Sequence, residues 1–139
     1  MAMIPKRVLH RKQQRGRMRG NATRGNTVSF GEYGLQSLDM AWVTSRQLEA
    51  GRVAATHYLH REGRVYIRVF PDKPVSAKPL ETRMGTGKGD TDEWVAVVKP
   101  GTILFEVGGV DELTAKGAFQ RVAAKMPVQV RMIHRRRGL

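Results

Sequence analysis

The chain contains no cysteine. That excludes disulfides, thiolate metal sites and a cysteine nucleophile, and it fits an intracellular protein. Long hydrophobic runs are missing too. The longest plainly apolar stretch, Trp94 to Val98, is far too short to cross a bilayer. The start, Met1-Ala2-Met3-Ile4-Pro5-Lys6, enters basic residues with no apolar region of an export signal, so neither membrane insertion nor secretion is expected. There is no internal repeat. The most telling absence is of negative charge. Residues 1–31 carry eight Lys/Arg and no acid, and residues 113–139 carry seven and no acid. All 12 acids lie in residues 32–112, beside 10 basic residues, so the net charge of +13 belongs to the two ends. Solubility needs far less than this. A slightly acidic body with cationic ends suits attachment to a polyanion.

At 139 residues, 40% of them hydrophobic, the chain suits one domain with one apolar core. We divide it into a basic arm at 1–25, a body at 26–134 and a basic tail at 135–139. Residues 5–25 show no hydrophobic period, and ordering them buries little. They are expected to be extended or disordered until a partner neutralises them. Thr27–Phe30 and Leu35–Val43 read as β segments, with Gly31 and Gly34 permitting a bend or bulge. Thr44-Ser45-Arg46-Gln47 is a capping box, and it opens a helix that Gly63 should end. Leu48, Gly51, Ala55, Tyr58 and Leu59 form its buried stripe, and Gly51 implies close packing against a strand.

Arg64 to Phe70 alternates, turning Val65, Ile67 and Val69 inward. Pro71 to Pro79 reads as an extended connection leading to the glycine-rich loop Arg83–Gly89. Strands at Glu93–Val98 and Thr102–Val107 are expected to form a hairpin about Pro100-Gly101. Asp111 should cap a second helix reaching about Lys125, with Leu113, Ala115, Ala118, Phe119, Val122 and Ala123 as its apolar face, and Pro127 stops it. Val128–Ile133 is a last strand. The class is α+β: a mixed, mainly antiparallel sheet packed with two helices, with basic extensions.

Three features bear on chemistry. The ends could coat an anionic membrane, but residues 5–25 offer only Val8, Leu9 and Met18 as large apolar anchors, so nucleic acid is the better partner. Arg64, Tyr66, Arg68 and Phe70 share one strand face, suited to phosphate contact and base stacking unless the rings pack beneath a helix. The loop at Gly85–Gly89 is not a Walker A loop, because Lys88 is followed by Gly89 and a strand. Its bare backbone, with Arg83 and Lys88, can still approach RNA closely, or it is simply a flexible hairpin tip. Asp90, Asp92 and Glu93 read as loop solvation rather than a metal or acid-base site. His57 and His60 lack further ligands at zinc spacing, and no GxSxG elbow exists. No enzyme, metal or cofactor is expected.

The segments PKRVLHRKQQRGRMRG, FGEYGLQ, TSRQLEAGR, VYIRVFPDKPVSAKPLETRMGTGKGDTDEWVAVVKPGTILFE and AFQRVAAKMPV, in this order, closely resemble the family of bacterial large-subunit ribosomal protein sixteen. That family is related to the archaeal and eukaryotic L-ten-e proteins, and the likeness covers nearly the whole chain. It implies an α+β hammerhead-type domain, cytoplasmic within the ribosome and bound to 23S rRNA beside the peptidyl-transferase region. It also implies proximity to A-site tRNA, with P-site tRNA a further candidate, a place among other large-subunit components, and entry late in subunit assembly. By position, the arm with Lys6, Arg7, Arg11, Lys12, Arg15, Arg17, Arg19 and Arg24 would run among rRNA helices toward the tRNA acceptor end. The Arg83–Lys88 loop would lie against rRNA near the tRNA path. Some members hydroxylate an arginine in that loop, and the matching residue is Arg83. The chain departs from the family at Gly51, where alanine is common, and at 135–139. The competing expectation is a free-standing RNA chaperone or nucleic-acid-compacting protein.

Overall fold

In the computed structural model, which describes residues 3–137, the elements run β1 (Tyr33–Ser37), β2 (Ala41–Thr44), α1 (Ser45–Leu59), β3 (Arg64–Ile67), β4 (Lys73–Ala77), β5 (Asp90–Val98), β6 (Ile103–Gly108), α2 (Glu112–Ala123) and β7 (Val130–His134). Met1 and Ala2 of the expected arm, and Gly138 and Leu139 of the expected tail, lie outside the described residues.

The capping box at the head of α1 forms as read. Thr44 Oγ1 accepts from the Gln47 N–H at 3.2 Å, and Gln47 Oε1 accepts from the Thr44 N–H at 2.9 Å. A cap of this kind contributes about 1 kcal/mol. Leu48, Gly51, Ala55 and Leu59 are buried at helical spacing. A Cβ on Gly51 would sit 2.9 Å from Phe105 Cζ of β6, which is the close approach to a strand expected there. Two details differ. The helix ends at Leu59, with His60 taking the left-handed cap at φ 50°, ahead of Gly63. Tyr58 stays 38% exposed and lies across α2, because Gly117 leaves its ring room there. In α2, Ala115, Ala118, Phe119 and Val122 are buried as expected, whereas Leu113 is 78% exposed.

The strands make two sheets, ordered β3-β6-β1-β7 and β2-β5-β4, and every pairing among the described residues is antiparallel. With two helices packed on one another beside them, this is the α+β class. The core gathers Val43, Leu48, Val98, Phe105, Phe119 and Val122 from both sheets and both helices. Val65, Ile67 and Val69 pack against it, as their alternation requires. No helix among the described residues is long and apolar enough to cross a membrane.

Pairing overturns several expectations. β5 and β6 are not a hairpin: Pro100-Gly101 carries the chain from one sheet to the other, with β5 between β2 and β4 and β6 between β3 and β1. The span Leu35–Val43 is broken the same way, β1 and β2 joining different sheets. The ladder at Arg64 stops at Ile67, short of Phe70. The proline-rich stretch contains β4, and Pro74, having no N–H to donate, is tolerated because β4 is an edge strand. Thr27–Phe30 forms no ladder at all.

Candidate nucleic-acid interface

What holds Thr27–Phe30 is a buried acid. Glu106 of β6 is fully buried on the sheet face away from the helices, and its carboxylate accepts backbone N–H groups from Ser29 at 2.9 Å, Phe30 at 2.7 Å and Gly31 at 2.9 Å. Arg68 Nη1 pairs with the same carboxylate and donates to the Thr27 carbonyl at 2.9 Å. Burial by itself would raise the Glu106 carboxyl. The three N–H donors and Arg68 outweigh it and hold the group below its ordinary value. Val28 seats on the same face over Gly34, whose Cβ would stand 2.6 Å from Val28 Cγ2. The root of the arm is therefore riveted to the sheet. Its upstream end is joined by Ala22 N–H to the Pro100 carbonyl at 2.9 Å and by Ile103 N–H to the Gly25 carbonyl at 2.8 Å.

Farther out, the arm runs along the β4–β5 hairpin. Thr91 Oγ1 donates to the Arg11 carbonyl at 3.2 Å, Lys12 Nζ to the Lys88 carbonyl at 2.9 Å and Arg15 Nη2 to the Ser76 carbonyl at 3.3 Å. Lys88 Nζ donates to the Gln13 carbonyl, and Lys73 Nζ to the Arg15 carbonyl. Lys73 also stands 5.1 Å from the centre of the Trp42 ring. All of these cations bond to neutral oxygens, which leaves their charge uncompensated.

The glycine-rich loop is the tip of that hairpin, between β4 and β5. Gly85, Thr86 and Gly87 have φ of 102°, 66° and 91°, a left-handed path that side chains resist. Nothing approaches within 4 Å of where Cβ atoms on the two glycines would lie, so they serve the path of the backbone and leave its surface bare. Lys78 Nζ ties the loop to its stem through the Gly85 carbonyl, and Met84, 99% exposed, projects outward. Arg83 is exposed.

Of the residues expected to meet RNA, Lys6, Arg7, Arg11, Lys12, Arg15, Arg17, Arg19, Arg24, Arg64, Arg83 and Lys88 are all exposed. Among the described residues none of them pairs with a carboxylate. Arg68 is set apart, its side chain 16% exposed and turned to Glu106. The structure brings arm residues 11–15 together with the loop on one surface; Arg64 lies on the other sheet. Tyr66 stacks on Phe30 with ring centres 5.7 Å apart, on the face away from the helices, and Phe70 is 49% exposed beyond the ladder. Sequence reasoning missed Glu106, Phe30 and Lys73. For Glu106 there was a signal: a lone acid inside the apolar run Ile103–Val107 must be either partnered or neutral.

An exposed cationic arm thus runs beside a bare glycine loop, its charge unpaired. The sequence profile of the family described as Ribosomal protein L16p/L10e matches residues 5–133. The chain belongs to the ribosomal protein L16p/L10e family. A large ribosomal subunit protein uL16 from Rhodopirellula baltica is 62% identical over 136 residues, covering 98% of this chain and 99% of the relative. Another uL16, from Heliobacterium modesticaldum, is 56% identical over 133 residues, covering 96% and 92%. Membership in the L16p/L10e family makes the chain a ribosomal protein, a structural component and not an enzyme.

Proposed function

We propose that the chain is a constituent of the large ribosomal subunit in the cytoplasm, and that it binds 23S rRNA through the joint surface of arm and loop. One observation carries this reading: arm residues 11–15 are bonded along the hairpin whose tip is the glycine loop, so two cationic elements distant in sequence present unpaired charge side by side. Their counterions are released when phosphates replace them, which ties affinity to salt. Lys6, Arg7, Arg11, Lys12, Arg15, Arg17, Arg19, Arg24, Arg83 and Lys88 make the phosphate contacts, and Arg68 positions the root of the arm through Glu106.

The finer reading is that arm and loop extend toward A-site tRNA, and P-site tRNA next to it, beside the peptidyl-transferase region. Its support is that two of the segments that carry the family likeness, the arm and the glycine loop, share this surface. Arg83, exposed at the loop, is the candidate for hydroxylation, which intact-mass and peptide spectrometry would read as one added oxygen. The test of the main reading is fractionation. Co-sedimentation with large subunits after a high-salt wash, with protection of a defined set of 23S rRNA positions, is expected. Recovery only with free RNA or nucleoid would overturn it in favour of a chaperone or compacting protein.

A further inference from the structure

A second cationic site lies away from arm residues 11–15 and the loop, on the four-stranded sheet. Arg64 stands opposite Gly108 on β6, and Arg135 continues the β7 ladder, its N–H donating to the Glu32 carbonyl at 2.8 Å. Tyr33 pairs with both Val107 and His134, so the next row across the sheet is Arg64, Gly108, Glu32, Arg135. Paired residues share a face, and Arg64 is two residues from Tyr66, which pairs with Glu106. Both arginines therefore belong to the face away from the helices. Between them is a cavity of about 480 Å³ lined by Phe30, Tyr66, Arg64, Arg135, Glu32 and four glycines.

The volume is that of a site for one small organic group. Phe30 is 63% exposed, and it is held by its own backbone bond to Glu106 rather than by burial of its ring. Arg68 lies 5.2 Å from the Phe30 ring centre, so the aromatic pair is backed by a cation. Among the described residues neither Arg64 nor Arg135 has an acidic partner. Arg64 and Arg135 are three strands apart, roughly 14 Å at the backbone. Guanidinium groups on long stems at that separation can flank one nucleotide and reach the phosphate on each side, while the ring pair meets its base. A fully paired duplex keeps its bases stacked inside and cannot offer one.

The geometry points to a subsite for a single unpaired nucleotide of RNA, built by the root of the arm, β3 and the C-terminal tail. This rests on the RNA-binding reading above but uses different residues, so the two can fail separately. The probes are hexa-adenylate carrying one 2-aminopurine and a blunt RNA duplex, each titrated with the full chain. Phe30→Leu should weaken the single strand about ten-fold, abolish quenching of the 2-aminopurine and leave the duplex unchanged. Arg64→Gln with Arg135→Gln should lower the single-strand salt slope by about 1.4, the share of two phosphates no longer neutralised. Glu32→Gln, which removes the one acid in the row, should tighten binding. Thermal midpoints report folding, and should Phe30→Leu unfold the chain, the exposed arginine pair decides alone. If these variants change nothing while Arg15→Ala with Arg17→Ala and Arg19→Ala weakens the single strand, the subsite is wrong and the RNA reading stands. If the arm variant changes nothing either, both fall.

Discussion

Between Ser29 and Gly31 the N-terminal segment is held by a carboxylate with no exposure, whereas between Arg11 and Arg15 it is held by surface ammonium and guanidinium groups donating to carbonyl oxygens. The first attachment consumes charge. Glu106 is buried, so its ionised form needs Arg68 and three N–H donors to offset desolvation, and nothing is left over for a ligand. The second attachment uses hydrogen-bonding capacity but no charge, since a carbonyl neutralises nothing. One segment can thus be anchored at its root and remain a polycation at its tip.

The comparison breaks most sharply at Glu106. Replacing it by Ala leaves three N–H groups and a largely buried guanidinium unpaired, and should cost about 3–5 kcal/mol in urea unfolding. A cost under about 1 kcal/mol would mean that the clamp does not hold the root. At the other attachment the expected effect is on binding. Arg15→Ala with Arg17→Ala and Arg19→Ala should lower the salt slope on duplex RNA by about 0.9 for each phosphate that the arm no longer neutralises. Unfolding free energy should move by no more than about 0.5 kcal/mol, and an unchanged slope would count against the arm as a phosphate binder.

Acid separates the attachments by a different lever. The native Glu106 carboxyl lies below its ordinary 4.5, so its contribution is complete above that value and is lost as pH falls from there through the lowered native value. Urea unfolding of the native chain should weaken over that window more than that of Glu106→Gln; parallel curves would contradict the assignment. The smallest effect belongs to the surface bonds. Lys73→Ala with Lys88→Ala should speed limited tryptic cleavage at Arg11, Lys12 and Arg15 while changing global stability by about 0.5 kcal/mol or less, because exposed bonds of this kind compete with water. Unchanged cleavage would show that these lysines do not hold the arm.

Much of this was legible in the residues. The capping box located the start of α1 at Ser45, and the alternation of Val65, Ile67 and Val69 set the inward face of β3, because both signals are local. Strand partners were not legible. Glu93–Val98 and Thr102–Val107, close in sequence about Pro100-Gly101, look like a hairpin. Yet β5 is drawn between β2 and β4, and β6 between β3 and β1, where each pairs with a neighbour on both sides. β4 was hidden by Pro74, since strand signals discount proline without knowing that the strand lies at an edge.

The site divides along the same line. Its cations, and their segregation to the ends with no acid among them, are composition, and the sequence alone determined that the chain carries a polycation at each end of a slightly acidic body. The family likeness then named the setting as the ribosome. Only the tertiary structure decided which cations are free. Arg64 and Arg68 look equivalent on one strand, but Glu106, 38 residues from Arg68, claims Arg68 and leaves Arg64 exposed. Arm and loop, 76 residues apart at Lys12 and Lys88, become one surface through bonds that no local pattern announces. The physical reason is that charge content is fixed by the residues, whereas the fate of a charge depends on which oppositely charged or polar group the fold carries to it.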